Sequence, residues 1–136
     1  MNVLGIDFGD SRTGVAISDS LCKLAQPLCT IESKNSAETA AKVAELANEN
    51  NVTEIVIGLP KNMDGTLGFR AEATQNFGNQ LSKLHPAKIT YLDERLTTIS
   101  ASGYLNQCNV RGKKRKKIID MVSSVIILQN YLDSKY

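Results

Sequence analysis

Residues 3–19 read VLGIDFGDSRTGVAISD. Branched apolar residues alternate through positions 2–8, which predicts a strand. Gly9-Asp10-Ser11 marks a turn, and 13–18 resume as a second strand, so the stretch predicts a hairpin. Within the first strand Val3, Gly5 and Asp7 share one face, and Leu4, Ile6 and Phe8 the other. Aspartate is depleted in strands, and an unpaired buried charge costs several kcal/mol. Asp7 therefore calls for a basic partner, a set of backbone N–H donors or a metal ion. A structural salt bridge is the plainest of these for one isolated acid.

Working outward, residues 24–31 predict a third strand, which Pro27 restricts to an edge or a bulge. The period then changes. Ala37, Ala40, Ala41, Ala44 and Ala47 recur at helical spacing, with Asn35 as N-cap and Glu38 three residues later. Residues 53–58 predict a buried strand. Phe69, Ala73, Phe77 and Leu81 predict a second helix that ends before Pro86, and 88–92 another strand. A short helix over 98–106 and a longer one over 116–132 complete the order βββαβαβαα. A meander followed by alternating β and α implies an α/β domain: one mixed sheet flanked by helices on both faces, spanning 1–136.

Two further acids stand in comparable places. Asp93-Glu94 closes the strand at 88–92, and because side chains alternate, only one of the pair can serve the face of Asp7. Asp120 lies early in the long helix among Ile118, Ile119, Met121 and Val122. Its helical neighbours Ser123 and Ser124 are small enough to let that helix approach a sheet closely. One shared divalent cation accounts for all three acids. Carboxylates with no His or Cys cluster select Mg²⁺ or Mn²⁺ over zinc, and such ions serve phosphodiester cleavage.

Residues 111–117 read RGKKRKK. Removing these six basic residues turns the net charge from +2 to −4, so the positive charge is concentrated just before Asp120. That position favours a phosphate-bearing polyanion over a merely solvated loop. The composition is that of an ordinary globular chain, with 136 residues, 42% hydrophobic. No apolar run is long enough to span a membrane, no secretory signal is legible, and three cysteines without a CxxC pair predict reduced thiols; the expectation is a cytoplasmic protein. Cys22 and Cys29 could be neighbours across a strand bend.

Four segments together resemble the YqgF/RuvX family of RNase H-like proteins: GIDFGDSRTGVAISD (5–19), VIGLPKNMDGT (56–66), YLDERLTT (91–98) and IIDMVSSVIILQNYL (118–132). The resemblance covers essentially the whole chain. It implies an RNase H-like five-stranded sheet with helices on both sides, and a metal-dependent endonuclease. The substrates it implies are the 5′ end of pre-16S rRNA or, alternatively, a Holliday junction. Its catalytic and metal-binding acids fall on Asp7, Glu94 and Asp120. The family pattern counts the second acid to strand four, whereas here the DER acid follows the fifth strand of the chain. Ser123-Ser124 stands where the family often has Ala-Ala.

Arg12 and Arg70 are expected to contact phosphate together with Lys113, Lys114, Arg115, Lys116 and Lys117. Arg95 is expected to pair with a site carboxylate, Asp64 to form a turn, Thr98 to cap the helix after it, and His85 to sit in a surface loop. The opening segment also resembles the first phosphate loop of the actin and hexokinase ATPases, but 136 residues supply no second lobe. A non-catalytic RNA- or ribosome-binding protein is the remaining alternative, and a homodimer is compatible with either reading.

Overall fold

The computed structural model of the chain describes residues 2–60, 68–93 and 112–135, with side chains in the last segment from 121 onward. The elements are β1 (Asn2–Asp7), β2 (Arg12–Ser18), β3 (Ala25–Glu32), α1 (Ser36–Glu49), β4 (Val52–Leu59), α2 (Phe69–Leu84), β5 (Lys88–Asp93) and α3 (Gly112–Lys135). The short helix expected over 98–106 lies outside the described residues.

The five strands form one sheet in the order β3-β2-β1-β4-β5. The meander β1–β2–β3 is antiparallel, and β4 and β5 add in parallel to β1. Pro27 sits where the β2–β3 register shifts, between Val15 and Ala16, on the edge strand, as a residue lacking a backbone donor requires.

Alternation splits the sheet between two cores. Leu4, Ile6, Val15, Ile55 and Ile57 pack under α1 and α2 with Phe77 and Leu81. Val3, Ala16 and Val56 pack under α3 with Ile127, Leu128 and Leu132. Each fully buried Leu or Ile stabilises the fold by roughly 1.5–3 kcal/mol. Helices therefore cover both faces of the sheet, as the α/β reading of the sequence requires.

α1 begins at Asn35, whose Oδ1 accepts from Ala37 N–H at 2.9 Å and Glu38 N–H at 3.2 Å. Its buried stripe is Thr39, Ala40, Val43, Ala44 and Ala47. Ala37 and Ala41, expected on that stripe, are exposed: at about 100° per residue they fall roughly 90° and about 130° from its centre. Phe69 departs more strongly. It is 82% exposed, because the apolar stripe of α2 begins only at Ala71 and continues through Thr74, Phe77, Gly78 and Leu81.

His85, expected in a surface loop, is buried. It caps α2, its N–H bonding the Leu81 carbonyl at 3.1 Å, and its Nδ1 accepts from Ala87 N–H at 3.1 Å. Cys22 and Cys29 form no disulfide; Cys22 belongs to the core under α3, whereas Cys29 packs against the other one. Among the described residues no helix is long and apolar enough to cross a membrane.

Candidate active site

Asp7 is the last residue of β1, half-buried, with Gly14 of β2 as its register partner. It follows Val3 and Gly5 on the face that α3 covers. Phe8 turns the other way and stacks on Phe77, with ring centroids 4.5 Å apart. That stack fixes where β1 ends and which way Asp7 faces.

Three fixed points give the register of α3 over that face. A β-carbon added to Gly5 would lie 2.6 Å from Leu128 Cβ and 2.9 Å from the Ser124 carbonyl oxygen. Glu54, the register partner of Val3, bonds Tyr131 and Lys135. Ala25 N–H donates to Gln129 Oε1 at 2.9 Å. As β1 runs towards Asp7, α3 runs from residue 135 back towards 120, so the two are antiparallel. From Gly5 to Asp7 the strand advances about 6.6 Å, and from Ser124 to Asp120 the helix retreats about 6 Å. The backbone of Asp120 thus lies on the stretch of α3 that reaches the Asp7 end of the sheet.

On β5, Thr90 and Leu92 belong to the α3 face, and Tyr91 to the face under α1 and α2. Alternation puts Asp93, which is exposed, on the face of Tyr91 and away from Asp7. Glu94 and Arg95 lie outside the described residues, as do Asp64 and Thr98. Among the described residues no group of three His, Cys, Asp or Glu is placed to hold a metal.

The expected phosphate contacts divide. Arg12 opens β2, half-buried, opposite Glu32 of β3, and lines a cleft with Ser11, Ser33 and Lys34. Arg70 is exposed near the start of α2. Since Phe77 meets Phe8 at the end of β1, the two turns of α2 before it extend past that strand, carrying Arg70 to the Asp7 end of the molecule. Lys113 to Lys117 are helical and form the first turns of α3, where the sequence alone allowed a loop. A cleft of about 230 Å³ opens beside the β1–β2 turn on the other side of the sheet, lined by Gly9, Asp10, Lys34, Ser36 and Asn76.

A match to the model of the RuvX family, described as Holliday junction resolvase, extends over residues 1–134. The chain belongs to the RuvX family. It is 49% identical to a protein of Ruminiclostridium cellulolyticum named "Putative pre-16S rRNA nuclease", over 98% of this chain and 94% of that one. A Bacillus cytotoxicus protein of the same name is 44% identical over 99% and 100%. Both matches span nearly the whole of the two chains compared, and both relatives carry the name of a nuclease. In fold the chain is similar to T. thermophilus RuvC, solved in complex with a Holliday junction substrate, with a TM-score of 0.61 at 12% identity over 99% of this chain and 95% of that one.

Sequence reasoning on this RuvX chain missed one acid. Glu54 is buried on the α3 face of β4. Its carboxylate accepts from the Tyr131 hydroxyl, from Thr90 Oγ1 at 3.1 Å and from Lys135 Nζ at 3.3 Å. Burial pushes the carboxyl pKa up, but these hydrogen bonds and the Lys135 charge outweigh it and leave Glu54 below its ordinary value. Tyr131 and Glu54 in turn raise Lys135. The cluster fastens the C-terminal end of α3 to the sheet, at the end away from Asp7. The signal available was an acid within an otherwise apolar strand, TEIVIG, the same signal that drew attention to Asp7.

Proposed function

We propose that this chain is a dication-dependent endonuclease of structured nucleic acid, formed by one RNase H-like domain over 1–136, that trims the 5′ end of pre-16S rRNA in the cytoplasm. The carrying observation is the antiparallel register of α3 on β1, which brings the helix segment bearing Asp120 to the strand end bearing Asp7. Asp7, Glu94 and Asp120 are the proposed ligands of Mg²⁺ or Mn²⁺. Glu94 is preferred to Asp93 because Asp93 alternates onto the opposite face of β5. The donor set is all carboxylate, the hard-oxygen chemistry these ions take. When bound, such an ion neutralises charge on the phosphodiester and makes a water more acidic.

The chain's own contribution is to hold and orient the substrate. The cationic first turns of α3 oppose the helix macrodipole, which favours anions there. That arrangement costs stability in the free protein and is relieved by a bound polyanion, which supports Lys113, Lys114, Arg115, Lys116 and Lys117 as phosphate contacts. Arg12 and Arg70, at the same end of the sheet, extend the track. All proposed acids come from one chain, so cleavage does not require the homodimer that the sequence reading allows.

The test is cleavage of a precursor rRNA 5′ leader and of a four-way DNA junction by one preparation, with Mn²⁺ or Mg²⁺ and with Asp7→Asn alongside. Metal-dependent cutting of the leader that disappears in Asp7→Asn supports the reading. Preferential cutting of the junction assigns the alternative substrate. Cutting that persists in Asp7→Asn, or salt-sensitive binding without cutting, overturns the nuclease assignment.

A further inference from the structure

Phe69 opens α2 with 82% of its surface exposed. Among the described residues it is the one aromatic of the exposed large hydrophobics. The others lie elsewhere: Leu21 and Leu24 between β2 and β3, Leu84 at the end of α2, all away from the Asp7 end of the sheet.

Helix geometry relates Phe69 to the cleft beside the β1–β2 turn. At about 100° per residue, positions 69, 73 and 76 fall within roughly 60° of one another around α2. Ala73 and Asn76 line that cleft of about 230 Å³, facing Ser36 of α1. Phe69 therefore stands on the same row, one turn outside Ala73, at the outer rim. Asp10 and Lys34 also line the cleft, and both are exposed. Lys34 is shared with the neighbouring cleft that Arg12 lines. Cations thus follow a path from Arg12 through Lys34 to the start of α2, where Arg70 comes after Phe69.

The groups along this path differ in what they can bind. An exposed aromatic ring offers a face on which a base stacks. Asn76 both donates and accepts hydrogen bonds, and Asp10 accepts them, which suits the edge of a base. Asp10 repels phosphate, whereas Lys34 attracts it. A base within a duplex is already stacked and paired, so a cleft of this kind takes one that is neither. We infer that the cleft is a subsite for an unpaired nucleotide of the substrate strand: Phe69 stacks the base, Asn76 and Asp10 meet its edge, and Lys34 holds the adjoining phosphate. The inference rests on the nucleic-acid reading above and names the strand form that reading leaves open. It involves no metal, because the cleft lies on the α1 and α2 side of the sheet.

The test is a metal-free fluorescence titration of the full chain with two RNA duplexes carrying equal numbers of phosphates. One has a single-stranded overhang containing a fluorescent adenine analogue, and the other is blunt and labelled at one end. Wild type, Phe69→Ser, Phe69→Trp, Lys34→Gln and Leu84→Ser are compared, each with a melting curve. Phe69→Ser should weaken binding of the overhang duplex by about 5–150-fold, the range for loss of one base stack. It should leave the blunt duplex and the melting temperature unchanged. Phe69→Trp should restore the affinity, and Leu84→Ser should bind both duplexes as wild type does. Lys34→Gln should reduce the salt dependence of overhang binding by about 0.7. Wild-type overhang affinity in Phe69→Ser, an equal loss for both duplexes, or a lowered melting temperature overturns the inference and leaves the nucleic-acid reading standing. So does tighter binding of free AMP than of the overhang, which would make the cleft a pocket for a free nucleotide. Wild type that binds neither duplex overturns both.

Discussion

Gly5 of β1 lies directly beneath the Ser124 carbonyl of α3, so close that a β-carbon on it would stand 2.9 Å from that oxygen and 2.6 Å from Leu128 Cβ. No side chain fits between strand and helix at this point. The contact sets the height of α3 above the sheet and so, one helical turn on, the height of the α3 backbone at the Asp7 end of β1. Gly5→Ala should lower stability by about 1–3 kcal/mol, the usual range for overpacking a core. Both contacted atoms belong to the helix itself, so α3 has to lift, and cleavage should fall by more than the loss of folded protein explains. Thermal melts combined with rates at a temperature where both proteins are folded check this.

The Glu54 cluster makes the opposite prediction. Glu54→Gln or Tyr131→Phe removes one partner from a buried hydrogen-bonded group and should cost about 1–3 kcal/mol. Catalytic rates of the folded protein should hardly change, because the cluster sits at the far end of α3 from Asp7. The pH dependence has a definite sign. The folded Glu54 pKa lies below the ordinary value of 4.5, so its contribution is fully present above that value and is lost as pH falls through the folded pKa. Denaturant titrations below about pH 5 should therefore show a shallower decline of stability with acidification in Glu54→Gln than in wild type.

Neutralising Lys113 and Lys114 to Gln should separate binding from stability. Each lost phosphate contact flattens the dependence of log affinity on log salt by about 0.7–0.9. The same substitutions remove cations from the first turns of α3, where the macrodipole disfavours them by about 0.3–1 kcal/mol each. Affinity for RNA should fall while the melting temperature holds or rises. Unchanged salt dependence would mean that the run makes no phosphate contact.

The two phenylalanines of α2 should differ sharply. Phe77 is fully buried and stacked on Phe8, and Phe77→Ala should cost about 3–5 kcal/mol. Phe69 is exposed, and Phe69→Ser should change stability by no more than about 0.5 kcal/mol. Urea midpoints of the two variants decide the matter.

These contrasts show which features a sequence carries. Alternation in VLGIDF identified the faces of β1, because a period of two admits one assignment once the apolar set is known. The Asn35 cap and the Pro27 bulge were equally legible, each being a local consequence of one residue's hydrogen-bonding chemistry. Phe69 misled because a spacing of four also fits the solvent side of a helix start. His85 looked like a loop residue beside Pro86, but the bond from Ala87 draws it inward. Glu54 was invisible as a cluster because its partners lie 36, 77 and 81 residues away. The helical state of the basic run was hidden for another reason: Lys and Arg form helices well, yet a charge block with no apolar period gives no helix signal. Of the candidate site, Asp7 and its face were legible from alternation alone, whereas the face of Asp93 needed the strand partners of β5.

The most direct measurement is the anomalous density of a crystal of this protein soaked in Mn²⁺. The account predicts a manganese peak bounded by carboxylate oxygens of Asp7, Glu94 and Asp120, at the roughly 2.0–2.2 Å expected for such ions, with Asp93 turned away. Those oxygens found far apart, or occupied by arginine side chains with no manganese between them, would contradict it.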